Sequence, residues 1–169
     1  MKEAANIRIE ELNKLAEFLH GRVCILGVGN RCRGDDGAGS VLCERLKSRV
    51  DVPCLDSGMA PENFLEQVVR FKPQVLLVLD AVHFNGKPGE LRVLNPGELS
   101  LGGLSTHQMS IGMCCAYLMA RIPVRVFCIA IQPSTITLGN RMSREVEEVV
   151  EFLSVALPEC LSEMGSPYF

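Results

Sequence analysis

Five apolar residues in a row, Val75-Leu76-Leu77-Val78-Leu79, run straight into a carboxylate at Asp80. A strand with no polar alternation has no face to offer water, so it must be covered on both sides. Residues 22–27 and 124–131 have the same character. Between these runs the spacing is helical. Residues 36–49 carry Val41, Leu42, Arg45 and Leu46 along one helix, and a second opens at Pro61 and runs to about Phe71. Residues 106–121 form a third helix, and Ser143 caps a fourth that extends to about Leu157. Residues 52–56 read as a short strand and 90–94 as an extra one, while 83–89 and 96–103 read as loops. The alternation predicts an α/β fold: one three-layer domain, with a mostly parallel twisted sheet of about five strands and helices on both faces.

Residues 1–21 read as an amphipathic helix, with Ile9, Leu12, Leu15, Ala16 and Leu19 at helical spacing, belonging to the same domain as residues 22–169. Glu3, Glu10, Glu11 and Glu17 interrupt that segment, so it lacks the apolar core of a signal peptide. No run elsewhere approaches the roughly 20 apolar residues that span a bilayer. A formal charge of −3 gives no basic surplus for a nucleic-acid backbone. The expectation is a cytoplasmic protein, a monomer, with neither a membrane nor a nucleic acid as partner. The eight cysteines form no C-x-x-C pair, and Cys24, Cys43, Cys54, Cys114, Cys115 and Cys128 sit in apolar contexts, which suits buried thiols in a reducing compartment.

In parallel sheets, sites form at the carboxyl ends of the strands. The loops after Gly27, Asp80 and Ile131 are therefore the places to look. The first reads Gly27-Val28-Gly29-Asn30-Arg31-Cys32-Arg33-Gly34-Asp35-Asp36-Gly37-Ala38-Gly39. A dinucleotide fingerprint would need glycine where Cys32 stands, although Asp56 occupies a plausible ribose-binding place. Asp35 and Asp36 lie where a pyrophosphate would rest and would repel it. A P-loop fails on the same ground, because Asp-Asp replaces the Lys-Ser/Thr pair after Gly29 and Gly34. Two acids at the focus suit a cation instead. Helix capping explains one aspartate. It explains neither the second acid nor the surrounding glycines, which indicate close approach by another backbone.

Asp80 emerges from an apolar strand and needs a proton, a partner or a metal. Taken alone it also reads as a turn aspartate. His107 follows Ser105, and Ser105 with Gln108 has capping-box spacing, which sets His107 in a first helical turn. The positive helix end there favours neutral imidazole, the metal-binding form. A structural histidine is the alternative, but the chain has only three: His20 looks like a helix-end residue and His83 lies in a loop. Two carboxylates and an imidazole form a three-donor set too small to enclose a metal, leaving positions for water or a partner's ligands. No G-x-S-x-G or H-E-x-x-H motif occurs, and a Cys-His pair using Cys32 stays open.

The ordered elements Gly27-Val-Gly-Asn30, Gly34-Asp35-Asp36-Gly37-Ala-Gly39, Leu79-Asp80-Ala81, Asn85-Gly-Lys-Pro-Gly-Glu90, Ser105-Thr-His107 and Ile131-Gln132-Pro133 together resemble the nickel-iron hydrogenase maturation proteases. The likeness spans residues 23–157 and is most similar to the branch serving hydrogenase 3, or formate-hydrogenlyase, enzymes. It implies an endopeptidase that removes a C-terminal extension from the hydrogenase large-subunit precursor after nickel insertion. On this resemblance Asp36, Asp80 and His107 are the metal-contacting and catalytic residues, with Asp36 the first choice for general base. Nickel is supplied by the substrate, and no permanently bound cofactor is expected. Gly27, Gly29, Asn30, Gly34 and Gly37 would form a substrate loop, with Asp35 and His83 as accessory groups. His83 departs from the family, which often has an acid there, and could add a fourth donor or merely reshape the loop. Two rival readings are a nucleotide-binding domain using the Gly27 loop with Asp56, and a non-catalytic nickel- and precursor-binding module.

Overall fold

The structure is a computed structural model that describes residues 2–101 and 106–162, with the side chains of residues 2–4, 100, 101 and 106–110 outside the description. The elements in chain order are α1 (Lys2–Ala16), β1 (Val23–Gly27), α2 (Ala38–Leu46), β2 (Cys54–Asp56), α3 (Leu65–Phe71), β3 (Val75–Ala81), β4 (Leu91–Leu94), α4 (Pro96–Leu101), α5 (Thr106–Arg121), β5 (Arg125–Ile131) and α6 (Arg144–Ser162). Short 3-10 turns, Gly34–Gly37 and Pro61–Phe64, lead into α2 and α3.

The sheet order is β2-β1-β3-β5-β4, parallel except where β4 runs antiparallel to β5. Every residue of β1 and β3 is buried, as their unbroken apolar runs require. Leu77, Leu79 and Ala81 pack on one face with α1, α2 and α6, through residues such as Leu15, Leu42 and Leu153. Leu76 and Val78 pack on the other with α3, α4 and α5, through Val68, Leu99, Ile111 and Leu118. The chain leaves β1 for β2 on one side and returns to β3 on the other. The crevice between the carboxyl ends of β1 and β3 is therefore the topological switch point, where such sheets place ligands.

The N-terminal helix packs on the sheet rather than standing apart. Leu12, Leu15 and Leu19 are buried, and the Glu11 carboxylate accepts the Val93 amide of β4 at 2.7 Å. Phe18 stacks on Phe127 with centroids 5.0 Å apart. The expected stripe is shorter than its sequence pattern, since Ile9 is 50% exposed. No helix among the described residues is long and apolar enough to cross a membrane.

Two expectations need correction. The segment expected as a loop at 96–103 begins with helix α4. Asn95 and Glu98 form a reciprocal cap: the Asn95 side chain accepts the Glu98 amide at 3.1 Å and Glu98 accepts the Asn95 amide at 2.8 Å. Pro96 is then the preset first residue of the helix, and Leu99 anchors it in the core. The last helix also passes its expected end at Leu157 and runs through Pro158 to Ser162. A proline inside a helix strands the carbonyl four residues earlier. That carbonyl belongs to Ser154, and Arg49 donates to it at 3.0 Å from outside the helix.

Candidate active site

Three loops meet at the carboxyl rim and are tied by backbone hydrogen bonds. Val28 donates to Leu79 at 2.9 Å, Gly29 to Gly58 at 2.8 Å, and Val82 to Ile131 at 3.0 Å. The two acids expected at a helix start occupy the 3-10 turn Gly34–Gly37 instead, and neither caps α2. Their side chains have separate fates. Asp35 is fully buried, and its carboxylate accepts the amides of Ser134 (2.7 Å), Thr135 (3.0 Å) and Ser143 (2.6 Å) and the Ser143 hydroxyl (2.9 Å). These bonds fasten the β1 loop to the β5–α6 connection and fill the acceptor capacity of that carboxylate, so Asp35 is an anchor rather than an accessory group. Ser143 sits at the expected helix start, its carbonyl accepting the Glu147 amide at 2.9 Å, but its hydroxyl serves Asp35.

Asp36 lies beside the rim, and one carboxylate oxygen accepts the Asn30 amide at 3.3 Å. Its backbone is held by glycine on both sides of the loop. Gly29 adopts φ +139°, and a Cβ there would collide with the Asp36 carbonyl oxygen. Gly39 sits on the Leu79 carbonyl, the peptide unit that leads into Asp80, and a Cβ would strike it. The turn carrying Asp36 is thus pressed against the end of the strand carrying Asp80.

Asp80 is fully buried and pairs in register with Ala130. Strand alternation sets it on the face of Leu76 and Val78, the side covered by α5. Cys128 lies on that same face, and burial, then the Asp80 carboxylate, push its thiol well above the ordinary range. His107 falls in the first turn of α5, as expected, one turn before the buried Ile111. Its side chain, like the Ser105–Gln108 capping box, lies outside the described residues. Among the described residues no three His, Cys, Asp or Glu side chains are grouped to hold a metal ion.

Of the expected substrate loop, Gly27, Gly34 and Gly37 look inward, toward Cys43, Thr135 and Arg31 respectively. Their missing side chains serve internal packing. Gly29 and Asn30 do border open space, a cleft of about 400 Å³ closed on the far side by Asp56, Gly58 and Met59. Arg31 spans its floor, donating to Asp56 at 2.6 Å and to the Ser40 hydroxyl at 2.7 Å. Asp56 is thereby engaged by Arg31 and by the Gly58 amide at 3.2 Å, which removes the acid that the nucleotide reading needed. Cys32 is exposed and makes no contact with a histidine among the described residues, while Cys24, Cys43, Cys114, Cys115 and Cys128 are buried.

Gln132 had been visible only as part of a motif. It is buried directly after β5, and its side-chain oxygen accepts the amides of Phe84 (2.9 Å) and Gly86 (3.1 Å), while its nitrogen stands 3.2 Å from His83 Nδ1. A buried amide at the head of an apolar strand was the available signal that the 83–86 loop is held in place.

The profile of the hydrogenase maturation proteases (HycI) matches residues 39–158, which takes in Asp80 and His107 and begins three residues after Asp36. The hydrogenase 3 maturation protease of Escherichia coli K12 is 31% identical over 130 residues, covering 75% of this chain and 83% of that protein. The crystal structure of a nickel-iron hydrogenase maturation protease HycI from Thermococcus kodakarensis KOD1 superposes with a TM-score of 0.81 at 32% identity, covering 88% of this chain and 99% of that one. The solution structure of an endopeptidase HycI from Escherichia coli gives 0.74 at 28% identity, covering 88% and 95%. A peptidase family with this sheet, this rim and this sequence likeness leaves no room for the nucleotide-binding alternative: the chain belongs to the hydrogenase maturation proteases.

Proposed function

We propose that this protein cuts a C-terminal extension from the large-subunit precursor of a nickel-iron hydrogenase, and does so by reading nickel already bound to that precursor. The observation that carries the reading is the Gly39 contact, which presses the Asp36 turn onto the Leu79–Asp80 peptide at the switch point. That backbone contact, in a member of a protease family, supports a reading in which the two carboxylates serve one rim.

In this reading Asp36 and Asp80 engage the nickel together with His107, which falls in the first turn of α5. A carboxylate held out of water gains most from a cation brought beside it, and Asp80 is such a group. The metal arrives as part of the substrate. Asp36, bonded to the amide of the cleft residue Asn30, removes a proton from the attacking water as the water oxygen adds to the scissile carbonyl. The adduct collapses with breakage of the C–N bond, and the proton passes from Asp36 to the departing amine. The tail lies in the cleft along Gly29 and Asn30. Cleavage then reports that metal loading is complete. Resemblance to the hydrogenase 3 branch, supported by the Escherichia coli relative, makes a hydrogenase 3-type large subunit the first precursor to try.

The test is mass spectrometry of nickel-loaded and nickel-free precursor after incubation with wild type and Asp36→Asn. Wild type should shorten only the loaded precursor, and Asp36→Asn should be slower by at least about 100-fold, the usual size of a lost general base. Equal cutting of both precursors would overturn nickel reading. An unchanged tail with wild type would overturn the proteolytic assignment and favour a module that only binds.

A further inference from the structure

The amide of Gln132 has a defined orientation. Its oxygen accepts two backbone amides, Phe84 at 2.9 Å and Gly86 at 3.1 Å, and only an oxygen can do so. The nitrogen is therefore the end that faces His83, and it also donates to the Pro133 carbonyl at 3.2 Å. His83 Nδ1 stands 3.2 Å from this nitrogen. Two N–H groups cannot face each other across that distance, so Nδ1 must be the acceptor, and the single proton of the neutral ring sits on Nε2.

This assignment has a chemical consequence. A ring nitrogen that carries hydrogen cannot also coordinate a metal, and the other nitrogen is already taken by Gln132. His83 is therefore unsuited to be a fourth nickel donor. What it offers is a neutral N–H, with no partner among the described residues, on a half-buried ring three residues beyond Asp80. That ring stands on the loop leaving the carboxyl end of β3, where the Asp36 turn also packs.

Resting on the proteolytic reading, we propose that His83 binds substrate by donating Nε2–H to a backbone carbonyl of the polypeptide entering the rim, and that Gln132 is a positioning residue that sets its tautomer. An extended peptide presents one carbonyl per residue, and a neutral donor recognises it without competing for the metal. Gln132 also clamps Phe84 and Gly86, so the loop and the ring are fixed by one side chain.

Long-range proton–nitrogen spectra of the full chain test the tautomer, with His83→Gln identifying the His83 signals among three histidines. Wild type should show protonated Nε2 and bare Nδ1. Gln132→Glu keeps an oxygen for the Phe84 and Gly86 amides but turns the donor into an acceptor, and it should move the proton to Nδ1. In the cleavage assay with nickel-loaded precursor, His83→Phe should raise KM about 3- to 10-fold, the worth of one neutral hydrogen bond, with kcat nearly unchanged. His83→Gln, which retains an N–H at similar reach, should recover most of that loss. Protonated Nδ1 in wild type, or equal KM for the Phe and Gln variants, would overturn the proposal while leaving proteolysis standing. Absence of cutting by wild type would overturn both.

Discussion

Ser143 gives Asp35 both its amide, at 2.6 Å, and its hydroxyl, at 2.9 Å. Neighbouring acids in one short turn therefore play different parts, one holding the β5–α6 connection while the other remains at the rim. Asp35→Ala should destabilise the protein by about 3–5 kcal/mol, because it removes a buried charged acceptor from four part-buried donors, each such bond contributing about 1.5–3 kcal/mol. Asp36→Asn should change stability by less than about 1 kcal/mol, because the amide keeps the shape of the buried side chain and an oxygen for the Asn30 amide. Urea unfolding of the two variants side by side checks the contrast, and similar losses for both would refute the division.

Gly39→Ala tests the contact that joins the Asp36 turn to Asp80. The added methyl meets the carbonyls of Leu79 and Val28, neither of which is a side chain able to swing away. Overpacking of this kind costs about 1–3 kcal/mol. Cleavage should fall by more than the loss of folded protein accounts for, because α2 must back away from β3. A variant that folds and cuts like wild type would show that the close approach is dispensable.

The guanidinium of Arg49 and the ring of Pro158 should be energetically coupled through Ser154. Arg49→Leu should cost about 1 kcal/mol, the worth of one hydrogen bond. In a Pro158→Ala background it should cost much less, since residue 158 then supplies its own helical N–H to that carbonyl. A double-mutant cycle on unfolding free energies measures the difference. Additive effects would mean that the two residues act independently.

Alkaline pH should weaken the fold through its thiols. Burial, then the neighbouring thiol (Cys43 for Cys24, Cys114 for Cys115), pushes Cys24 and Cys115 up to about 12 from an ordinary 9.0. In the unfolded chain these thiols ionise near 9, while in the folded protein they keep their protons. The unfolded state therefore gains charge first. Stability is complete below pH 9 and falls as pH rises toward 12, by about 1.4 kcal/mol per unit for each such thiol. Urea titrations at pH 7, 9 and 10.5 should show the decline. Cys115→Ala should reduce the drop between pH 9 and 10.5 by about 1–2 kcal/mol. An unchanged slope in that variant would contradict the assignment.

Much of the architecture could be read from local pattern, since unbroken apolar runs such as Val75–Leu79 and periodic ones such as that of α5 depend on neighbours in the chain. The misses share a different cause. Helix α4 hid behind Pro96 and Gly97, residues that usually mark loops, although the Asn95–Glu98 cap was there to be found. The continuation of α6 past Pro158 depends on Arg49, more than a hundred residues earlier, and no window along the sequence contains both. Asp35 and Asp36 are equivalent in sequence, and only the amides of Ser134, Thr135 and Ser143 distinguish them. Gln132 was legible as a motif and opaque as chemistry, because its partners Phe84 and Gly86 come from another strand connection.

The Glu11 carboxylate on the Val93 amide has a consequence at the border of the sheet. An outer strand with a free amide invites another extended chain to zip onto it. Here a helix shields β4 and occupies that donor. A flexible tail is thus denied an easy resting place along this flank of the sheet.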